Sequence, residues 1–147
     1  MAGPCSTVFQ IDIKPASCPN PINVKDKGVL PVAILGSDDF DVLTIDPVSI
    51  RLEGIAPVRS SYEDVATPAS DDVEICECTT DGPDGYLDLT FKFNVQEIVA
   101  SLGEVNDGEE LELTLTGALN DGTSIEGTDC IVIRNNKADN ELTVAGE

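Results

Sequence analysis

The sequence predicts an all-β protein, a two-sheet antiparallel sandwich of immunoglobulin-like or Greek-key type with one short connecting helix. Three observations predict it. Apolar and polar residues alternate strictly in several short segments, Asp-Gly turn pairs fall between those segments, and only one stretch carries both the caps and the stripe of a helix. Alternation with period two places odd and even residues on opposite faces of a strand, one buried and one wet.

The segments run in order along the chain. Phe9, Ile11 and Ile13 alternate with Gln10, Asp12 and Lys14, and Val48, Ile50 and Leu52 with Ser49, Arg51 and Glu53. Leu87, Leu89, Phe91 and Phe93 alternate with Asp88, Thr90 and Lys92, and Leu111, Leu113 and Leu115 with Glu112 and Thr114. Val29 to Leu35 is almost continuously apolar and suits a strand buried on both faces, with Pro31 placing it at an edge or a bulge. Ile131 and Ile133 carry a further strand, and Leu142 to Val144 a short last one. Asn106-Asp107-Gly108 and Asn120-Asp121-Gly122 tolerate the positive φ of a turn, the second leading through a longer loop to the Ile131 strand. For the helix, Asn94 caps, Glu97 completes a capping box, Ile98, Val99 and Leu102 form the apolar stripe, and Gly103 ends it.

At 147 residues this is one domain, 1–147, with a core over about 8–134 and ends that are flexible or used in assembly. Lys and Arg number 8 against 28 Asp and Glu, a formal charge of -20. Nucleic acids and anionic membrane surfaces need cationic footprints and are excluded as partners; divalent cations are favoured. Hydrophobic content of 41% argues for a folded chain. Histidine is absent, which removes imidazole metal ligands and the usual nucleophile-activating base. No apolar run is long enough for a membrane-spanning helix. An apolar signal-peptide core is also lacking, as expected of a mature secreted chain.

The five cysteines are Cys5, Cys18, Cys76, Cys78 and Cys130. Zinc sites want two C-x-x-C pairs or added histidine, so disulfides fit better. The preferred pairing joins Cys18 to Cys130, leaving Cys76 and Cys78 to bridge each other or one of them to take Cys5. Buried reduced cysteines are the alternative.

Thr80-Asp81-Gly82-Pro83-Asp84-Gly85-Tyr86-Leu87-Asp88 leads straight into a strand and suits a cation loop. Calcium takes six to eight hard oxygens, and Gly85 permits the kink that turns Asp81, Asp84 and Asp88 towards one point. An EF-hand it is not, since the closing glutamate is missing. An acidic, solvated turn is the plainer reading. Ser37-Asp38-Asp39-Phe40-Asp41 offers three carboxylates, enough for a second weak cation site, but is read as a solvated turn, and Asp71-Asp72 and Glu109-Glu110 as exposed acidic faces.

Ordered matches run from Ile11-Asp12-Ile13-Lys14-Pro15 through Pro19-Asn20-Pro21-Ile22-Asn23 and Lys27 to Gly36. They continue through Phe40-Asp41-Val42, Ile45-Asp46-Pro47, Glu63-Asp64-Val65, Asp84-Gly85 with Asp88-Leu89, Thr116-Gly117, Asp121-Gly122-Thr123 and Ile125 to Asp129. In these the chain resembles a recurring β-sandwich module of secreted and cell-surface proteins of bacteria and archaea. The resemblance implies an extracellular accessory domain with a calcium loop reading Asp-x-Asn-x-Asp-Gly-x-x-Asp. Asp64 matches its first acid and Asp84, Gly85 and Asp88 its end, while Ala66 to Pro83 interrupt it; Asp81 and Glu63 are then substitute ligands.

Function is therefore expected in binding rather than catalysis: a calcium-binding accessory or adhesion module that meets other cell-surface proteins. The alternative is an extracellular filament subunit, assembled with identical copies by strand addition, disulfides or both. Carbohydrate binding ranks third, because the surface aromatic candidates are only Tyr62 and Tyr86. A carboxylate-pair enzyme ranks last.

Overall fold

A computed structural model describes residues 7–14, 20–38, 40–65 and 82–135. Within them lie nine strands and one α-helix: β1 Thr7–Val8, β2 Ile11–Ile13, β3 Pro21–Asn23, β4 Val29–Ile34, β5 Arg51–Leu52, β6 Arg59–Glu63, β7 Asp88–Asn94, α1 Val95–Leu102, β8 Glu110–Ala118 and β9 Ser124–Arg134. They form a two-sheet sandwich. One sheet runs β1-β9-β8-β5 with β3 also on β9, and the other runs β2-β4-β7-β6. Most pairs are antiparallel, but β1 and β3 lie parallel to β9. The chain enters in the first sheet, crosses at Phe9-Gln10 to lay β2 on β4, and returns for β3. Phe9 N–H donates to Glu126 O and Leu35 N–H to Gln10 O at that crossing.

Inward side chains of both sheets make one core, including Ile13, Val32, Leu89, Phe91, Phe93, Leu113 and Ile131, each essentially inaccessible. Part of the outer face of the second sheet is buried as well. Ala33 and Leu35 pack there with Val65, which accounts for the unbroken apolar run of β4.

Four sequence expectations need correction. Pro31 lies in an interior strand, not at an edge, because its missing N–H faces β2 just where β2 stops. Lys14 N–H still reaches Pro31 O at 2.7 Å, and the ladder to β7 is undisturbed. The expected strand over 48–52 shrinks to Arg51–Leu52. Asp46 caps a 3-10 turn at Pro47–Ser49 through a bond from Val48 N–H, and Val48 is 79% exposed. The turn at 120–122 is tight rather than followed by a long loop, since β9 already begins at Ser124 and pairs with Ala118. Leu87 is exposed, and β7 starts at Asp88. The helix falls where expected: Asn94 Oδ1 accepts from Glu97 N–H, and Gly103 closes it at φ 74°. The proposed strand at 142–144 lies outside the described residues.

Candidate cation site

The acidic loop is assembled from two segments far apart in sequence. Asp64, just after β6, accepts Asp84 N–H at Oδ1 (3.0 Å) and Gly85 N–H at Oδ2 (2.7 Å). Asp88, fully buried at the start of β7, accepts Gly36 N–H at Oδ1 and Val65 N–H at Oδ2, both at 2.8 Å. Asp84 turns back on its own loop to accept Tyr86 N–H at 3.0 Å, and Gly85 takes φ 94°, which a side chain would resist. The β6–β7 ladder makes this possible. It sets Glu63 opposite Asp88, so the residues flanking those two strand ends come together.

Asp64, Asp84 and Asp88 are thus brought to one corner. Both oxygens of Asp64 and Asp88 and one of Asp84 accept backbone N–H groups, and the described residues hold no group of three or more acidic or cysteine side chains poised around one ion. Glu63 is exposed on β6 and accepts the Ser61 hydroxyl at 2.6 Å. Asp81 lies outside the described residues, as do Cys5, Cys18, Cys76 and Cys78. Cys130, on β9, is disulfide-bonded.

A second acidic group escaped the sequence reading. Asp129 on β9 turns into the gap between the sheets, where Oδ2 accepts Ile13 N–H at 2.9 Å and Asn20 Nδ2 at 3.3 Å, and Oδ1 accepts Cys130 N–H at 2.8 Å. Burial raises its pKa, and these bonds oppose the rise. Asp12 is also buried. Burial, then the charges of Asp129 and Asp88, push its pKa up to about 7. Its Oδ2 and the Oδ1 of Asn20 are buried with no hydrogen-bond partner. Alternation had assigned Asp12 to a wet face. The available signal was that Asp12, Asn20 and Asp129 all fall within the stretches carrying the family resemblance.

No helix among the described residues is long and apolar enough to cross a membrane. No family model matches the chain, and neither a curated protein nor a solved structure matches it.

Proposed function

We propose that the chain is an extracellular accessory or adhesion module of a surface protein, stabilised by calcium at the Asp64–Asp84–Asp88 corner, and not an enzyme. The observation that carries this reading is the pair of bonds from Asp84 and Gly85 to Asp64. They rejoin the two halves of the loop across the 66–83 interruption that the resemblance identified. A calcium ion there would draw on these carboxylates and on loop carbonyls, offsetting part of the repulsion in a chain of charge -20. Extracellular sites of this kind bind weakly, on the order of 0.1–1 mM. The absence of histidine supports a binding role over hydrolytic chemistry.

Thermal unfolding of the oxidised protein in millimolar calcium, in magnesium and in chelator tests the reading. A calcium-specific rise in Tm supports it, because a ligand that binds only the folded state adds stability by mass action. Equal Tm in all three returns the loop to a hydrogen-bonded acidic turn.

One observation favours the filament subunit as a second reading. β6 is the outer strand of its sheet among the described residues, and all five of its residues are exposed. Such an edge can accept a strand from another copy.

A further inference from the structure

We infer that the cleft between the Phe9 crossing, the 40–44 turn and the β8–β9 hairpin binds a neutral pyranose ring, with the stacked Phe9–Phe40 pair and Leu43 as its apolar wall and Asp41, Asn120 and Asp121 as hydrogen-bond acceptors. The cleft has a volume of about 590 Å³ and is lined by these residues with Thr44 and Leu119. It lies across the Gly36–Phe40 turn from the acidic corner and does not depend on the calcium reading.

The wall is built by packing that sequence inspection could not see. Phe9 and Phe40 stack with ring centroids 4.0 Å apart and planes 23° from parallel, both only partly buried against the core. Leu43, beside them, is 55% exposed. A half-covered aromatic pair next to an uncovered leucine offers an apolar surface of the size of a sugar's C–H face.

The rim supplies the polar complement. Asp41 spends Oδ1 on Leu43 N–H at 2.9 Å, and Asp121 spends Oδ1 on Thr123 N–H at 2.9 Å. The hydroxyl and N–H of Thr123 also hold the Asp121 carboxyl below its usual range, so it is an ionised acceptor. Hydroxyl groups are the donors such a rim selects. An anionic ligand would meet both carboxylates and a chain of charge -20, which rules out acidic sugars.

The parts are held in place without a ligand. Asn120 N–H donates to Thr44 O at 2.7 Å, and Leu119 N–H to Thr123 O at 2.8 Å, tying the hairpin to the turn. Ser37 and Phe40 exchange bonds across their own turn at 3.0 and 3.3 Å, and Asp88 anchors the preceding Gly36. A preformed cleft loses little on ordering when it binds.

The experiment is titration of the full chain with methyl β-glucoside, methyl α-mannoside and methyl β-galactoside, followed by amide chemical shifts. At least one glycoside is expected to move the Leu43, Asn120 and Asp121 amides saturably. Leu43→Ala, at an exposed side chain, should weaken that binding about fivefold, on the order of the loss of one contact, with Tm unchanged; Asn120→Ala, which also removes the 3.3 Å bond from Asn120 Nδ2 to Leu43 O, should weaken it at least as much. Phe40→Ala should abolish it. No saturable shift at the cleft with any of the three overturns the inference. So does binding that Leu43→Ala and Asn120→Ala leave intact, or cleft shifts produced by hexanol and by none of the glycosides.

Discussion

The Asp129 carboxylate accepts the Ile13 N–H at 2.9 Å across 116 positions of sequence, and this bond ties the free side of β2 in one sheet to β9 in the other. β4 occupies only one side of β2, so the Ile13 donor would otherwise be buried without a partner. The same oxygen also holds Asn20 at the entry to β3. One side chain thereby fixes both points at which the N-terminal segment changes sheets. Asp129→Ala should lower stability by about 2–3 kcal/mol, the range for a buried donor deprived of a charged acceptor. Urea unfolding against the parent chain measures it, and a loss under about 0.5 kcal/mol, typical of surface changes, would mean the bond is replaced.

Asp12 makes stability fall with rising pH. Its pKa is raised from the usual 3.8 to about 7 in the folded chain, by burial first and then by Asp129 and Asp88. Below the unfolded value both states hold the proton and the group contributes nothing. Between the two values the folded state keeps a proton that the unfolded state has released, so stability declines with pH until the folded group also ionises. Asp12→Asn should therefore match the parent near pH 3, exceed it above pH 7, and flatten the decline between. Urea midpoints across that range would show it, and a parallel pair of profiles would reject it.

Gly36→Ala should destabilise severely. A Cβ at this position would run into the carbonyl oxygen of Leu87, a backbone atom that cannot swing away, and would crowd the carbonyl carbon behind it. The turn that presents Phe40 and the loop that ends at Asp88 meet there, so relief of the clash would move both. A loss of about 2 kcal/mol or more is expected, as for other overpacked sites, read from thermal or urea unfolding.

The sandwich was legible because its strongest strands obey period two and its helix carries both caps. What stayed hidden has a common physical origin. β6 reads Arg-Ser-Ser-Tyr-Glu, an exposed edge with no apolar alternation to announce it. Val48 looked like a core residue in a strand until the Asp46 cap wound the segment into a 3-10 turn. Asp12 is buried on the face that alternation assigns to water, because the outer side of the second sheet is covered around Ala33 and Leu35. The meeting of Asp64 with Asp84 rested on the resemblance, since spacing alone cannot bring together residues separated by 20 positions. Phe9 and Phe40 were not counted as surface aromatics, since their stacking depends on where two loops converge.

Asn20 sits beside β9. Its Nδ2 donates to the carbonyl of Cys130 at 3.0 Å, and Val132 N–H donates to Asn20 O at 3.0 Å. Cys18 is only two residues earlier in sequence. Since Cys130 is disulfide-bonded, non-reducing peptide mapping should recover a fragment joining Cys18 to Cys130. A Cys130 fragment linked to Cys5, Cys76 or Cys78 would refute the pairing.

Asp84 separates calcium ligation from loop scaffolding more cleanly than its neighbours. Asp88→Asn weakens bonds to Gly36 and Val65 whether or not an ion binds, and Asp64→Asn does the same for the bonds from Asp84 and Gly85. Asp84 accepts one local bond, from Tyr86 N–H, which an asparagine oxygen can also accept. Asp84→Asn should therefore leave Tm in chelator close to that of the parent and remove most of any rise produced by calcium. At a calcium concentration of about 100 times Kd, the parent's gain would approach 2.7 kcal/mol, large enough to resolve in a thermal scan. A variant that keeps the full calcium response would take Asp84 out of the ligand set. One that loses stability equally in chelator would show that its carboxylate holds the loop together without an ion.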